Sequence, residues 1–371
     1  MVERPISTLP GSDSASLDTP ALVVDLDAFD ANVNLVHGFF SARSANLRPN
    51  AHTHKTPALA HRQLAIKGSA SGIAVISISE AEVFASNGIN DIRITTQIPT
   101  YSKLNRVAVL SKSCKVSLIA DNANVVGMYS EAVTAKNSSV DVLIDINVHE
   151  DRPGVHSLDH ALKLANLIHD LPGLNFAGIF SSGGPLGGSS TNSLIERDLK
   201  ALDTFLDYKS FLQTKGIAVT EASFGNSTHN YALIGETKGI TEVRSGAYAF
   251  LDANHAEHCA DLKHAAYIIS TVNNRPEIAR AVTDCGQKAI GRDLGAPEVL
   301  GQKNLIAAAG SAEHGLIDSA DGSMLNLSIG DRVNLIPADI STTFSLHDIV
   351  YGIRGGIVDS VWHIAARGAF N

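Results

Sequence analysis

The chain has 371 residues, 44% hydrophobic and 18% charged, a globular composition with material for one large barrel plus a smaller domain. Its net charge of −9 argues against a nucleic-acid partner, which needs a basic face, and no apolar run reaches the roughly 18 to 20 residues of a membrane helix. The first residues lack the basic-then-apolar layout of a signal peptide, and Cys114, Cys259 and Cys285 form no C-x-x-C pair, so a reduced, cytoplasmic setting is expected.

Residues 1–20 are rich in Ser, Asp and Pro and read as an irregular lead-in. From Ala21 the chain alternates: a strand at 21–25, an amphipathic helix at 26–41, then short apolar strands at 73–77, 92–95, 116–120, 140–146 and 176–180, most of them separated by one helical segment. Such alternation predicts a parallel sheet, closed most economically as a (β/α)8 TIM-type barrel over 21–256. After that the texture changes to strands at 265–272, 277–284, 331–337 and 349–362 joined by short turns, the last with a Gly-Gly hairpin signal, which predicts a C-terminal β-domain over 257–371.

Four polar segments follow apolar strands, where barrel active sites are built. They are Arg48-Pro-Asn-Ala-His-Thr-His-Lys-Thr56, Asp145-Ile-Asn-Val-His-Glu-Asp-Arg-Pro-Gly-Val155, Gly225-Asn-Ser-Thr228 and Arg244-Ser-Gly-Ala-Tyr248. The last two combine small and hydroxyl-bearing residues and can offer N–H groups and hydroxyls to a phosphate. Gly183-Gly184 and Gly187-Gly188 form a Gly-rich loop that could cover a site or bind an anion.

Together with Leu17-Asp-Thr-Pro20, Asp284-Cys-Gly-Gln-Lys288, Gly330-Asp-Arg-Val333 and Ala365-Ala-Arg-Gly368, these segments run collinearly along the chain. In that order the sequence resembles the fold-type III pyridoxal-phosphate enzymes of the D-serine dehydratase, D-threonine aldolase and 3-hydroxy-D-aspartate lyase group. The resemblance implies an alanine-racemase-type barrel with a C-terminal β-domain, a small-molecule substrate and a homodimer. It assigns the phosphate anchors to Ser227, Thr228, Gly246, Ala247 and Tyr248, and a cofactor-loop arginine to Arg152.

The reactive end departs from that pattern. The group's R-P-H-x-K-T-H-K motif carries the cofactor on its first lysine, and here that position is His52, with Asn50 at the preceding histidine. Imidazole cannot form the linkage, which needs a primary amine. Lys55 has the opposite strand parity and is expected to point away from the barrel mouth if the strand runs that far; otherwise it is a substitute attachment point. Metal-using members have a P-N-H-x-C motif whose His and Cys bind zinc. Its counterpart is Pro337-Ala-Asp-Ile-Ser341, in which Ala338 and Ile340 cannot bind a metal and neither soft ligand is kept, so the zinc is expected to be absent. A tyrosine and a histidine expected beside the cofactor ring are Ser182 and Gly183.

Three functions are compatible with this pattern. The first is a divergent lyase acting on a small β-hydroxy or amino acid, with pyridoxal phosphate held non-covalently or through Lys55 and His52 as base. The second is a noncatalytic binder of pyridoxal phosphate or another phosphometabolite. The third is a cofactor-independent barrel enzyme of another reaction class that uses the phosphate cup. A pairing of His52 with His54 as a new metal site is a further option.

Overall fold

The computed structural model describes residues 8–66, 69–70, 72–149, 152–184, 190–225 and 228–371. These fall into two units, one of residues 35–52, 57–246 and 368–371, the other of residues 1–34, 53–56 and 247–367. In chain order the first strand is β1 (Ala21–Asp25). Eight strands follow: β2 (Asn46–Pro49), β3 (Ile73–Val75), β4 (Asp91–Ile94), β5 (Lys115–Ala120), β6 (Val140–Asp145), β7 (Leu174–Ser181), β8 (Glu221–Gly225) and β9 (Glu242–Ser245).

These eight make one parallel sheet in the order β2-β9-β8-β7-β6-β5-β4-β3. Parallel bridges Leu47↔Ser69 and Asn50↔Ala74 bring the two ends back together, so the sheet closes into a nearly complete barrel. The helices between them are amphipathic for a plain reason. In the helix Leu158–Asp170 the buried residues are Ala161, Leu164, Ala165 and Ile168, one stripe at helical spacing, and Ser157 caps its start by accepting from the His160 N–H.

The barrel interior is charged. Asp91 and Arg93, Glu221 and Ser223, and Glu242 and Arg244 each stand two residues apart on one strand and so share a face. Arg48 Nε donates to Glu242 at 2.6 Å and its Nη1 to Asp91 at 2.7 Å, while Arg93 pairs with both Glu242 and Glu221. Burial disfavours the Glu242 charge, but Arg48 and Arg93 outweigh it and hold its carboxyl down at about 2.

The second unit is built on a nine-stranded sheet. Its later strands are β10 (Ala266–Glu277), β11 (Arg280–Thr283), β12 (Glu298–Val299), β13 (Leu305–Ala308), β14 (Gly315–Ser319), β15 (Arg332–Ile336), β16 (Ile349–Arg354) and β17 (Ile357–His363). Gly355 and Gly356 turn β16 into β17 with φ of 55° and 82°, the left-handed pair a two-residue hairpin needs. β1 belongs here and not in the barrel: it lies antiparallel to β10 and parallel to β16. Its side chains Ala21 and Val23 join Leu17, Tyr267, Ile269, Tyr351, Ile353 and Val358 in one core, and a strand buried on both faces reads alike in either sheet. The strand expected at 277–284 is the second arm of a hairpin, since β10 runs on to Glu277 before turning. No helix among the described residues is long and apolar enough to cross a membrane.

Candidate active site

Because the barrel strands are parallel, their carboxyl ends share one mouth. Thr95, Thr96 and Gln97 follow β4, Asp145 ends β6, and Ser181 ends β7 ahead of Ser182 and Gly183. With Ile146, Asn147, Val148, His149, Arg152 and Pro153 they line a cavity of about 240 Å³. The loop after β6 is pinned at its base. Asn147 N–H donates to Val155 O at 3.1 Å, Val155 N–H donates to Asp145 O at 2.8 Å, and His149 N–H donates to Asn147 Oδ1 at 2.9 Å. Gly154 sits there at φ 117°, and a Cβ on it would lie 2.6 Å from Asn147 N, so only glycine allows the close return.

Two carboxylates meet one amide at the floor. Gln97 Nε2 donates to Asp145 Oδ2 at 2.9 Å and to Asp121 Oδ2 at 3.2 Å, and Asp121 also accepts the Gly154 N–H at 3.0 Å. Asp145 is 5% exposed. Burial first, and then the Asp121 charge, push its carboxyl up to about 7, against the opposing pull of Gln97, Arg244 and Arg152. Arg244 itself is buried, its guanidinium 3.8 Å from the Phe180 ring centroid, and donates to Ser223 Oγ at 3.1 Å and to Ser181 O. Burial brings it down to about 9 despite Glu242. On the other wall, burial and then Arg197 hold the His149 imidazole below its ordinary value, with Arg152 adding to them and Asp198 opposing.

The residues singled out in the sequence do not all arrive at this cavity. Arg152 lines it, as do Ser182 and Gly183, where the resemblance leads one to expect a tyrosine and a histidine. His52 lies in a 3-10 turn, Ala51–Thr53, just past β2, where Asn50 N–H donates to Ser245 O at 2.8 Å. The strand has therefore ended before Lys55, and the parity expectation fails for that reason. Lys55 adopts φ 56°, is 3% exposed, and donates from Nζ to Ser341 O and Oγ, each at 3.2 Å. His54 is buried, accepts the Thr56 N–H on Nδ1 at 3.1 Å, and packs its ring 5.7 Å from the Phe250 ring, centroid to centroid.

At the expected phosphate end, Ser227 lies outside the described residues. Thr228 Oγ1 and Ser245 Oγ are 2.7 Å apart and both buried, immediately before Gly246. Ala247 and Tyr248 continue as a 3-10 turn, with the Tyr248 side chain fully buried. Counted from Pro337, the zinc motif puts its histidine on Asp339 and its cysteine on Ser341, not on Ala338 and Ile340. Asp339 Oδ1 caps the helix Ile340–Phe344 by accepting the Thr342 N–H at 2.8 Å, and Ser341 receives the Lys55 ammonium. Among the described residues no group of three or more His, Cys, Asp or Glu side chains could hold a metal ion.

These residues do not fit a covalently held pyridoxal phosphate. The position that the resemblance gives to the attaching lysine holds an imidazole, and the next primary amine, Lys55, is buried on two acceptors of Ser341. Asp145, Gln97, Asp121 and His149 were missed as a group in the sequence. Asp145 and His149 lie in the segment already singled out after β6, but Gln97 follows β4 and Asp121 follows β5, and strand-end position was the one signal that could have gathered all four.

A nearly closed eight-stranded parallel barrel with its polar cavity at the strand ends, followed by a sheet-based unit, defines an alanine-racemase-type enzyme fold. The chain belongs to the family of the "Alanine racemase, N-terminal domain", whose model matches residues 24–254; a second model, "Putative serine dehydratase domain", matches residues 265–353. D-threonine aldolase of Arthrobacter sp is 32% identical over 372 residues, covering 99% of this chain and 97% of the relative. A 3-hydroxy-D-aspartate aldolase of Paracoccus denitrificans (strain Pd 1222) is 29% identical, covering 98% of this chain and 95% of the relative. The crystal structure of D-threonine aldolase from Filomicrobium marinum superposes with a TM-score of 0.91 at 28% identity, covering 99% of this chain and 100% of that one. The family is pyridoxal-phosphate dependent, with a metal in some members.

Proposed function

We propose that this chain is a lyase acting on a small β-hydroxy amino acid bound in the barrel-mouth cavity, without covalent attachment of a cofactor. The observation that carries this reading is the cavity itself. It sets a cation (Arg152), a buried acid (Asp145), an amide (Gln97) and hydroxyls (Ser181, Ser182) around about 240 Å³, in a chain related end to end to aldolases of hydroxy amino acids.

Cleavage of such a substrate takes one proton from it and returns one to a product fragment. His52 does not line this cavity, so its proposed role as the base of the first transfer requires the substrate to extend from the cavity to the end of β2. Arg152 orients the substrate through its carboxylate. Incubation with D-threonine and 3-hydroxy-D-aspartate, with and without pyridoxal phosphate, tests the reading by release of glycine or ammonia. Turnover is expected, and His52→Ala should lower it by about 10²-fold or more, the usual worth of a general base. Neither glycine nor ammonia from any β-hydroxy amino acid under either condition rejects the lyase.

Binding without turnover is the second reading, favoured by the joint replacements at His52, Ser182, Gly183, Asp339 and Ser341. The attachment argument has its own check. His52→Lys with pyridoxal phosphate should acquire a visible absorbance fixed by borohydride, while the parent chain stays colourless. A yellow, borohydride-fixed parent would place the attachment on another lysine.

A further inference from the structure

The cavity is polarised. One wall is acidic: Asp145 Oδ2 is held by Gln97 at 2.9 Å, whereas Oδ1 makes no hydrogen bond among the described residues, and Asp121 sits behind the same amide. The other wall is basic. The Arg152 guanidinium lines it, and His149 Nε2 is buried with no hydrogen-bond partner among the described residues. His149 Nε2 and the Arg197 Cζ each lie 2.9 Å from the point where a Cβ on Gly184 would sit, so a second guanidinium stands beside the imidazole. Leaving a buried ring nitrogen unbonded is costly, and a ligand oxygen or nitrogen placed against it recovers that cost. Between the walls the lining is Thr95, Thr96, Ser181 and Ser182, short hydroxyls suited to a polar substituent.

We propose that this cavity binds a free α-amino acid directly as its zwitterion, the ammonium against Asp145 and the carboxylate against Arg152 and His149. The proposal rests on the cavity named above as the substrate site, and it deepens that reading by assigning each end of the substrate. An enzyme that attaches its substrate's amine to a cofactor has no need of an acidic wall for it. With His52 at the attachment position the amine remains a cation, and a carboxylate is the group that recognises it.

The charged groups facing Asp145 are Asp121, Arg244 and Arg152, and their balance together with burial sets its carboxyl at about 7. Ammonium binding therefore needs Asp145 ionised, and lowering the pH from 8 to 6 should weaken it about tenfold. The full-length chain is titrated calorimetrically with three probes at pH 8: D-threonine, 3-hydroxybutanoate (no ammonium) and 1-amino-2-propanol (no carboxylate). D-threonine should bind at least tenfold more tightly than either analogue. Asp145→Asn should abolish its advantage over 3-hydroxybutanoate and its pH dependence, and Arg152→Gln should abolish its advantage over 1-amino-2-propanol.

Equal binding of D-threonine and 3-hydroxybutanoate by the parent chain, or no binding of D-threonine at millimolar concentration, overturns the proposal without recourse to any variant. Release of glycine and ammonia is followed in parallel. Zwitterion selectivity without cleavage removes the lyase and leaves this binding mode standing, whereas cleavage that Asp145→Asn leaves intact, with D-threonine affinity unchanged, does the reverse.

Discussion

A carboxyl pushed up to about 7 by burial and by Asp121 makes Asp145 a stability liability as well as a ligand group. In the unfolded chain the same carboxyl titrates near ~4. Between those values the native state holds the proton that the unfolded state has released, so stability falls as pH rises through the window. Asp145→Asn keeps an oxygen for the Gln97 amide and has no charge to bury. It should unfold at higher urea than the parent at pH 8, by on the order of a few kcal/mol, with the gain shrinking to nothing near pH 4. A gain that stays constant across pH would mean that Asp145 is not the titrating group. The sequence exposes this residue as the end of an apolar strand opening a polar loop. Its partners Gln97 and Asp121 follow other strands, and only barrel closure brings them to it. Lys55 shows the opposite failure, because a strand rule was applied where the chain had already left the ladder for a 3-10 turn.

At the scale of elements, the barrel strands carry their charges inward. Arg48, Arg93 and Arg244 face Asp91, Glu221 and Glu242, three cations against three anions, with Ser223 bridging Arg244 to Glu242 and Ser117 accepting from Arg93. Such a lattice is worth little against an apolar core but is costly to break, since removing one partner leaves buried charge uncompensated. Glu242→Gln should lower stability by about 3–5 kcal/mol in chemical denaturation. Glu236→Gln, at the exposed Arg43–Glu236 pair, should cost less than about 1 kcal/mol. Equal costs for the two would mean that the interior pairs are solvated. The i, i+2 spacing of Asp91 with Arg93 and of Glu242 with Arg244 is plain in the sequence, yet alternation alone does not say which face is inside. In a barrel whose outer face packs on helices, the apolar residues can point outward and the charges in. The same ambiguity put β1 in the barrel, and the short strands β12 to β14 carry too few residues to show any period.

For the whole molecule, the fold was legible because collinear motifs extend from Leu17 to Gly368, and topology follows from their order once the strands are placed. The expected absence of zinc rests in the sequence on a change of residue types alone, and the hydrogen bonds at that segment add a physical argument for the same expectation. At the segment 337–341 the oxygens that replace the soft ligands are already engaged, Asp339 in capping a helix and Ser341 in receiving an ammonium. A dication there would meet the Lys55 charge, and neither oxygen donor offers the soft ligation that holds zinc against competition. A metal bound to the native state stabilises it by mass action, so stripping such a metal must lower the melting temperature. Dialysis against EDTA is therefore expected to leave the thermal transition of this chain unmoved, and elemental analysis of the purified protein should find far less than one zinc per chain. Stoichiometric zinc, with a transition that drops on chelation and returns on adding the metal, would show instead that Asp339 and Ser341 can be drawn away from their present partners.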